Sequence, residues 1–120
     1  MTPWGAIIMQ MEKPYRRGEY AAVLRFYLEH GIPIYDMVSA GNVEGGDFMV
    51  LKPGVAICGY SGERSIEPAV NQLKHWFEAE GWEFMTYAFD PHFLHLDVQM
   101  GMIAEDLAVV CSPCLRSCFP

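Results

Sequence analysis

The sequence has few basic residues and no long hydrophobic run. Only 8 of its 120 residues are lysine or arginine, against 15 aspartate and glutamate, which gives a formal net charge of −7. Nucleic-acid-binding domains normally carry a basic patch, and 8 scattered basic residues do not form one, so we expect no nucleic-acid partner. No stretch reaches the roughly 18 consecutive apolar residues of a membrane-spanning helix, so we expect no membrane partner.

Cysteine is scarce outside the tail of the chain. Cys58 stands alone in the first 110 residues, and Cys111, Cys114 and Cys118 follow in the last ten. The N-terminus has no basic flank before an apolar stretch, which a secretory signal would show. Without such a signal the thiols are expected to be reduced rather than to form a disulfide framework, and we expect a cytoplasmic protein.

The residues that are present predict one domain in which strands and helices alternate. Apolar residues make up 52% of the chain, enough for a core, and the length suits one domain rather than two. The predicted strands cover residues 4–11, 34–38, 48–51, 55–59, 82–88, 94–104 and 107–111, and the predicted helices cover 16–30 and about 66–80. We expect Ser65 to be the N-cap of the second helix. This order predicts an α/β or α+β domain with helices packed on sheet.

The first candidate site is the tetrapeptide Glu44-Gly45-Gly46-Asp47. Two glycines between two acids let the backbone approach a ligand closely or adopt a positive φ. Two carboxylates beside such a turn could bind a cation or a guanidinium, which makes Glu44 and Asp47 candidate binding residues. A solvated acidic turn is the alternative interpretation of the same four residues.

Two further segments carry side chains suited to chemistry. In a strand at 94–104, His95 and Asp97 would point to the same face, where a carboxylate and an imidazole can act as an acid–base pair. The alternative is a capping histidine with an aspartate at a strand end. In the loop that precedes the second helix, Arg64 could bind a substrate carboxylate through its fork of donors, or could be an ordinary surface arginine.

Together the three motifs resemble the guanidine-modifying enzymes of the pentein superfamily: arginine deiminase, dimethylarginine dimethylaminohydrolase and the amidinotransferases. Arg64 follows Glu44 by 20 residues and His95 follows it by 51, and both spacings are similar to those of the family. The segments 3–8 and 16–19 are also similar to the amidinotransferase-type sequence. The resemblance implies an α/β fold of pentein-like ββαβ modules, a partial α/β propeller with a mixed sheet and two helices.

The resemblance also implies roles for individual residues. Glu44 matches the catalytic carboxylate that contacts the guanidinium, and His95 matches the general acid/base. Asp97 matches a second carboxylate that binds the guanidinium nitrogens, a position at which dimethylarginine dimethylaminohydrolases differ. Arg64 matches the residue that binds the α-carboxylate of the substrate, and Asp47 is a further substrate-binding candidate. The implied partner is an arginine-like guanidino compound, and no metal or organic cofactor is implied.

Some features of the family are missing. The Arg64 loop has one extra residue and a serine where threonine is usual, and the late Gly-rich segment that carries the nucleophilic cysteine has no counterpart. We therefore expect residues 1–112 to be an amidinotransferase-type fragment of about two modules, not fully catalytic alone, and 113–120 to be an irregular cysteine-containing tail. Exposed strand edges and apolar faces would favour a homo-oligomer.

Two alternatives remain open at this point. His92, His95 and Asp97 form an H-x-x-H-x-D pattern that could bind zinc with a cysteine or Glu44. The tail cysteines could likewise supply thiolates to zinc or an iron–sulfur cluster, with Cys58 or an external group as the fourth ligand. The second alternative is a non-catalytic module, in which an inherited pentein scaffold serves assembly or protein interaction.

Overall fold

The computed structural model describes residues 1–112, so the predicted tail at 113–120, with Cys114 and Cys118, lies outside the described residues. The strands are β1 Ala6–Ile8, β2 Ile34–Met37, β3 Phe48–Lys52, β4 Val55–Tyr60, β5 Glu83–Ala88, β6 Met100–Ala104 and β7 Leu107–Val110, and the helices are α1 Glu19–Glu29 and α2 Glu67–Ala79. Neither helix is long and apolar enough to cross a membrane. The predicted mixture of strands and two helices is confirmed.

A complete ββαβ unit forms the centre of the structure. β3 and β4 form an antiparallel hairpin, and β5 adds to the other side of β4 in parallel after the chain crosses through α2. The hairpin turns at Pro53 and Gly54, and Gly54 takes a φ of +85°, which glycine adopts without strain. The predicted hairpin over 48–59 is therefore confirmed.

The main core lies between α2 and this sheet. The apolar residues of α2 recur every three or four positions, which places them on one face of the helix. The buried members of this core are Val38, Val43, Ala56, Cys58, Ala69, Val70, Leu73, Phe77 and Phe84. Trp4 extends the core from the N-terminal segment and packs edge-on against Phe77, with ring centroids 5.1 Å apart. This packing ties the first strand region to the central unit.

Two smaller pieces flank the central unit. β1 and β2 are parallel and joined through α1, whereas β6 and β7 form an antiparallel hairpin. No residue of α1 is buried, and all four residues of β7, Leu107 to Val110, are exposed. These flanking pieces therefore present apolar side chains to solvent, which agrees with the expectation of exposed apolar faces.

The predicted strand over 94–104 is wrong in its first half. Leu96–Val98 forms a short 3₁₀ turn, and β6 begins only at Met100. His95 and Asp97 consequently do not lie on one face of a strand. The cause is tertiary, because the backbone N–H of Leu96 donates a 2.9 Å hydrogen bond to Asp47 Oδ1, a partner that local periodicity cannot reveal.

Both helices begin later than the sequence predicted. The first starts at Glu19, because the preceding Pro14–Arg16 forms a separate 3₁₀ turn with proline at its first position. The N-cap of the second helix is Ile66, with extended backbone angles and no capping side chain, so the prediction of Ser65 as N-cap is wrong. The Ser65 side chain instead contacts Asp47 and the Glu44 backbone.

Candidate active site

Glu44 lies at the centre of a buried polar cluster and is only 3% exposed. Its Oε1 accepts a 3.1 Å hydrogen bond from the backbone N–H of Glu12. Its Oε2 lies 3.5 Å from Arg64 Nη1 and 3.4 Å from His95 Nε2. One carboxylate oxygen is therefore held by the backbone, and the other faces a guanidinium and an imidazole.

His95 lies between two carboxylates. Its Nε2 faces Glu44, and its Nδ1 lies 3.3 Å from Asp47 Oδ2, an ion-pair distance without the alignment of a hydrogen bond. Gly46 makes this position possible, because a Cβ added there would lie 2.8 Å from His95 Cγ. Gly46 of the E-G-G-D motif thus lets a protein side chain approach the backbone closely.

Asp47 is fully buried, and both of its carboxylate oxygens contact the protein. Oδ2 accepts a 2.5 Å hydrogen bond from Ser65 Oγ, and Oδ1 accepts one from the backbone of Leu96. Burial raises the pKa of Asp47, and the hydrogen bonds from Ser65 and Leu96, with the nearby His95, act in the opposite direction. The carboxylate faces the imidazole rather than open solvent.

Arg64 reaches the cluster from the loop before α2. Asn42 holds this loop, since its Nδ2 donates to the carbonyl oxygens of Glu63 at 2.6 Å and of Arg64 at 3.0 Å. The Arg64 side chain is 22% exposed, so its guanidinium lies at the boundary between the buried carboxylate and solvent. The extra residue in the loop therefore does not prevent Arg64 from reaching Glu44.

The structure brings four of the five predicted site residues together: Glu44, Asp47, Arg64 and His95. Asp97 is exposed on the Leu96–Val98 turn, and no hydrogen bond or ion pair within residues 1–112 joins it to the other four. The geometry therefore offers no support for Asp97 as a second carboxylate at the same ligand. That role stays a prediction from the resemblance alone.

Other residues at the site were not assigned from the sequence. Glu12 holds Glu44 through its backbone N–H, and its carbonyl oxygen accepts a 3.3 Å hydrogen bond from Arg17 Nε. Arg16 forms an exposed ion pair with Glu19, which is the main reason its pKa is raised, and the charge of Glu44 adds to the effect. The segment 16–19 resembled the family, but no sequence signal placed it beside Glu44.

The structure does not support the metal hypotheses within the part of the chain it describes. No group of three histidine, cysteine, aspartate or glutamate side chains in residues 1–112 is arranged to hold a metal ion. The proposed set of His92, His95 and Asp97 is therefore not assembled. The thiolate hypothesis depends on Cys114 and Cys118, which lie outside the described residues.

Cys58 is a free thiol but a poor nucleophile. It is fully buried in β4, and burial, with a smaller effect from Asp47, raises its pKa well above the ordinary thiol value. Cys111 is disulfide-bonded, so the prediction that the thiols are reduced is wrong for that residue. Neither described cysteine supplies a reactive thiolate to the cluster around Glu44.

We expect alkylation of Cys58 by iodoacetamide at pH 7.5 to be far slower in the folded chain than in urea, because the thiolate is both disfavoured and shielded. Peptide mapping by mass spectrometry separates Cys58 from the tail cysteines. Equal rates at Cys58 in buffer and in urea would contradict the prediction and reopen Cys58 as a candidate nucleophile.

Comparison with known proteins agrees with the fold and the motifs. The sequence model of the family described as "N,N dimethylarginine dimethylhydrolase, eukaryotic" matches residues 4–118. The uncharacterized protein YkgA of Bacillus subtilis is 27% identical over 111 residues, which cover 92% of this chain and 37% of YkgA. Of the three enzyme groups that the sequence motifs resemble, the matching family model is that of the dimethylarginine enzymes.

Solved structures of dimethylarginine dimethylaminohydrolases share the fold. The Pseudomonas aeruginosa enzyme, a cysteine-to-serine variant complexed with citrulline, superposes with a TM-score of 0.70 at 23% identity over 86% of this chain and 40% of its own. An adduct with 4-chloro-2-hydroxymethylpyridine gives 0.73 at 20% identity, over 92% and 44%. This chain spans less than half the length of these relatives. Because the family's sequence model matches nearly the whole chain, the protein belongs to the N,N dimethylarginine dimethylhydrolase family of the pentein superfamily.

Proposed function

We propose that this chain binds the guanidinium group of an arginine-derived small molecule, with Glu44 as the carboxylate that contacts it. One observation carries the proposal: the buried Oε2 of Glu44 faces the guanidinium of Arg64 at 3.5 Å and the imidazole of His95 at 3.4 Å. A buried carboxylate that already faces a guanidinium has the charge and the geometry to accept another one. The imidazole of His95 beside it is placed to act as a general acid or base towards a bound ligand.

Binding would exchange one ion pair for two. The ligand guanidinium would replace Arg64 at Glu44, and the released Arg64 would pair with the α-carboxylate of the ligand. Arg64 suits this role, because its planar fork of donors matches a carboxylate and its side chain lies partly at the surface. Glu44 and Arg64 would each keep a partner of opposite charge, so the exchange would avoid the cost of an unpaired charge at the site.

The family resemblance suggests the chemistry that such binding would serve. A cysteine thiolate would attack the guanidinium carbon, the carbon–nitrogen bond would break, and His95 would protonate the departing amine. Water would then attack the thioether-linked intermediate, release a ureido product and regenerate the thiolate. Within residues 1–112 the free cysteine is the buried Cys58, so we propose that turnover requires a thiolate from outside this part of the chain.

Calorimetric titration tests the binding proposal directly. We expect arginine to bind, and citrulline, which carries no charge on its ureido group, to bind much more weakly, because Glu44 contacts a cation. If arginine gives no heat at several temperatures and causes no change in the NMR spectrum, the cluster does not bind guanidinium.

Arg64→Gln separates the two ends of the ligand. We expect it to weaken arginine binding by roughly tenfold, because a charge-assisted contact to the α-carboxylate is lost. Binding of methylguanidine, which has no carboxylate, should not weaken, since the variant also removes the guanidinium that competes for Glu44. Arg25→Gln, on exposed α1, is the matched control. Equal losses for both ligands would contradict the exchange of partners at Glu44.

A second candidate function, assembly, is favoured by the exposed apolar hairpin of β6 and β7. Val109 is 58% exposed and Val110 44% exposed on a strand whose residues all face solvent. We propose that this hairpin contacts a second copy of the chain, because burying such a surface is favourable and symmetric pairing is the simplest way to do so. This self-association can accompany guanidinium binding or stand in its place.

Val109→Asp is expected to lower the association state, because it places a charge in the proposed contact. Analytical ultracentrifugation should show a mass above 13.6 kDa for the unmodified chain and a shift towards that mass for the variant. Val23→Asp is the matched control, since Val23 is 43% exposed on α1, away from the hairpin. A chain that sediments as a monomer at all concentrations would contradict the assembly proposal.

A further inference from the structure

We propose that Ser65 is a positioning residue whose hydroxyl, acting through Asp47, holds the His95 imidazole against Glu44. This inference rests on the proposed guanidinium-binding function of the same cluster. Its physical basis is a closed set of polar contacts. Ser65 makes two hydrogen bonds, to Asp47 and the Glu44 backbone, and His95 lies at ion-pair distances of 3.3 Å from Asp47 and 3.4 Å from Glu44.

The direction of each hydrogen bond at Ser65 is fixed by chemistry. Ser65 is fully buried, and its Oγ lies 3.0 Å from the backbone nitrogen of Glu44 and 2.5 Å from Asp47 Oδ2. A backbone N–H can only donate, so Oγ accepts from Glu44 and gives its one proton to Asp47. One hydroxyl therefore links the two acidic residues of the E-G-G-D motif.

Asp47 in turn fixes both the backbone and the ring at position 95. Oδ1 accepts from the N–H of Leu96, the residue after His95, which holds the turn that carries the histidine. Oδ2 lies 3.3 Å from His95 Nδ1. The group facing one imidazole nitrogen orients the ring and thereby presents the other nitrogen, here Nε2 towards Glu44.

Electrostatics supports the same arrangement. Burial raises the pKa of Asp47, and the Ser65 hydroxyl is the strongest of the contacts that oppose this rise. Without the hydroxyl, Asp47 would be protonated more readily and would attract the imidazole less. The backbone N–H of Glu44 would also lose its buried acceptor, a loss that buried polar groups rarely tolerate without movement.

Ser65→Ala tests the inference, with the ¹⁵N NMR signals of the His95 ring and the affinity for arginine as readouts. We expect the His95 nitrogen signals to move and arginine binding to weaken roughly tenfold or more. Ser65→Thr keeps the hydroxyl and should restore both. Ser61→Ala is the matched control, because its hydroxyl accepts only a 3.4 Å bond from Glu63 N in the same loop. The His95 signals are assigned by their loss in His95→Gln.

The inference is overturned if the His95 signals of Ser65→Ala are the same as those of the unmodified chain. A lower melting temperature of the variant would not change this, because Ser65 would then only stabilise the fold. If Ser65→Ala does not fold, Asp47→Asn replaces it, since this change keeps the shape and removes the charge beside Nδ1. Unmoved His95 signals in Asp47→Asn would overturn the inference equally. If the unmodified chain binds no arginine, the proposed function fails, and the His95 signals still decide the positioning role.

Discussion

Glu44→Gln is expected to weaken arginine binding by roughly 30- to 700-fold, about 2–4 kcal/mol, and to leave the fold intact. The change removes the negative charge that faces the guanidinium and imidazole groups at Oε2. The remaining amide oxygen can still accept the hydrogen bond from the Glu12 backbone, so the loop keeps its support. Binding is measured by calorimetry, and stability by thermal unfolding.

Glu63→Gln provides the control for this prediction. Glu63 is an exposed acid in the neighbouring loop, and the change removes the same charge from the surface. If loss of net charge alone weakened binding, both variants would lose affinity to a similar extent. Equal affinity in Glu44→Gln and the unmodified chain would show that Glu44 does not contact the ligand, and the binding proposal would have to be abandoned.

Gly46→Ala is expected to destabilise the fold by about 1–3 kcal/mol and to displace His95 from between its two carboxylates. The added Cβ would lie 2.8 Å from His95 Cγ and 3.0 Å from Cδ2, closer than non-bonded carbon atoms approach. The ring or the loop must move, and the contacts to Glu44 and Asp47 would lengthen. Urea unfolding measures the stability, and the His95 NMR signals report the position of the ring.

Gly45→Ala is the matched control, because a Cβ on this adjacent glycine would meet nothing within 4 Å and its φ is not positive. We expect this variant to unfold at nearly the same urea concentration as the unmodified chain and to keep its His95 signals. If Gly46→Ala behaved like Gly45→Ala, the close contact between the motif and the ring would be disproved, and with it the tight packing of the cluster.

The two glycines of one motif thus have different functions that their sequence does not distinguish. The sequence predicted only that glycine between two acids permits close approach or a positive φ. The structure shows that neither glycine has a positive φ and that only Gly46 lies against another group. The difference arises because His95, which is 49 positions further along the chain, packs on one glycine and not on the other.

Much of the central unit follows from local patterns in the amino-acid sequence. The Pro53-Gly54 turn and its flanking apolar runs predicted the β3–β4 hairpin, and helical spacing predicted the buried face of α2. The order and spacing of the motifs around Glu44, Arg64 and His95 indicated the superfamily. These features succeed because turn chemistry, periodicity and motif spacing are properties of nearby residues or of simple order along the chain.

The contacts among the polar side chains, in contrast, depend on long-range packing. Ser65 is a suitable helix cap by local rules, yet its hydroxyl bonds Asp47 and the Glu44 backbone, 18 and 21 positions away. The same carboxylate draws Leu96 into a turn where apolar periodicity predicted a strand, and this leaves Asp97 exposed. A buried carboxylate requires donors wherever the fold can supply them, and that requirement overrides local preference in segments that no sequence pattern connects.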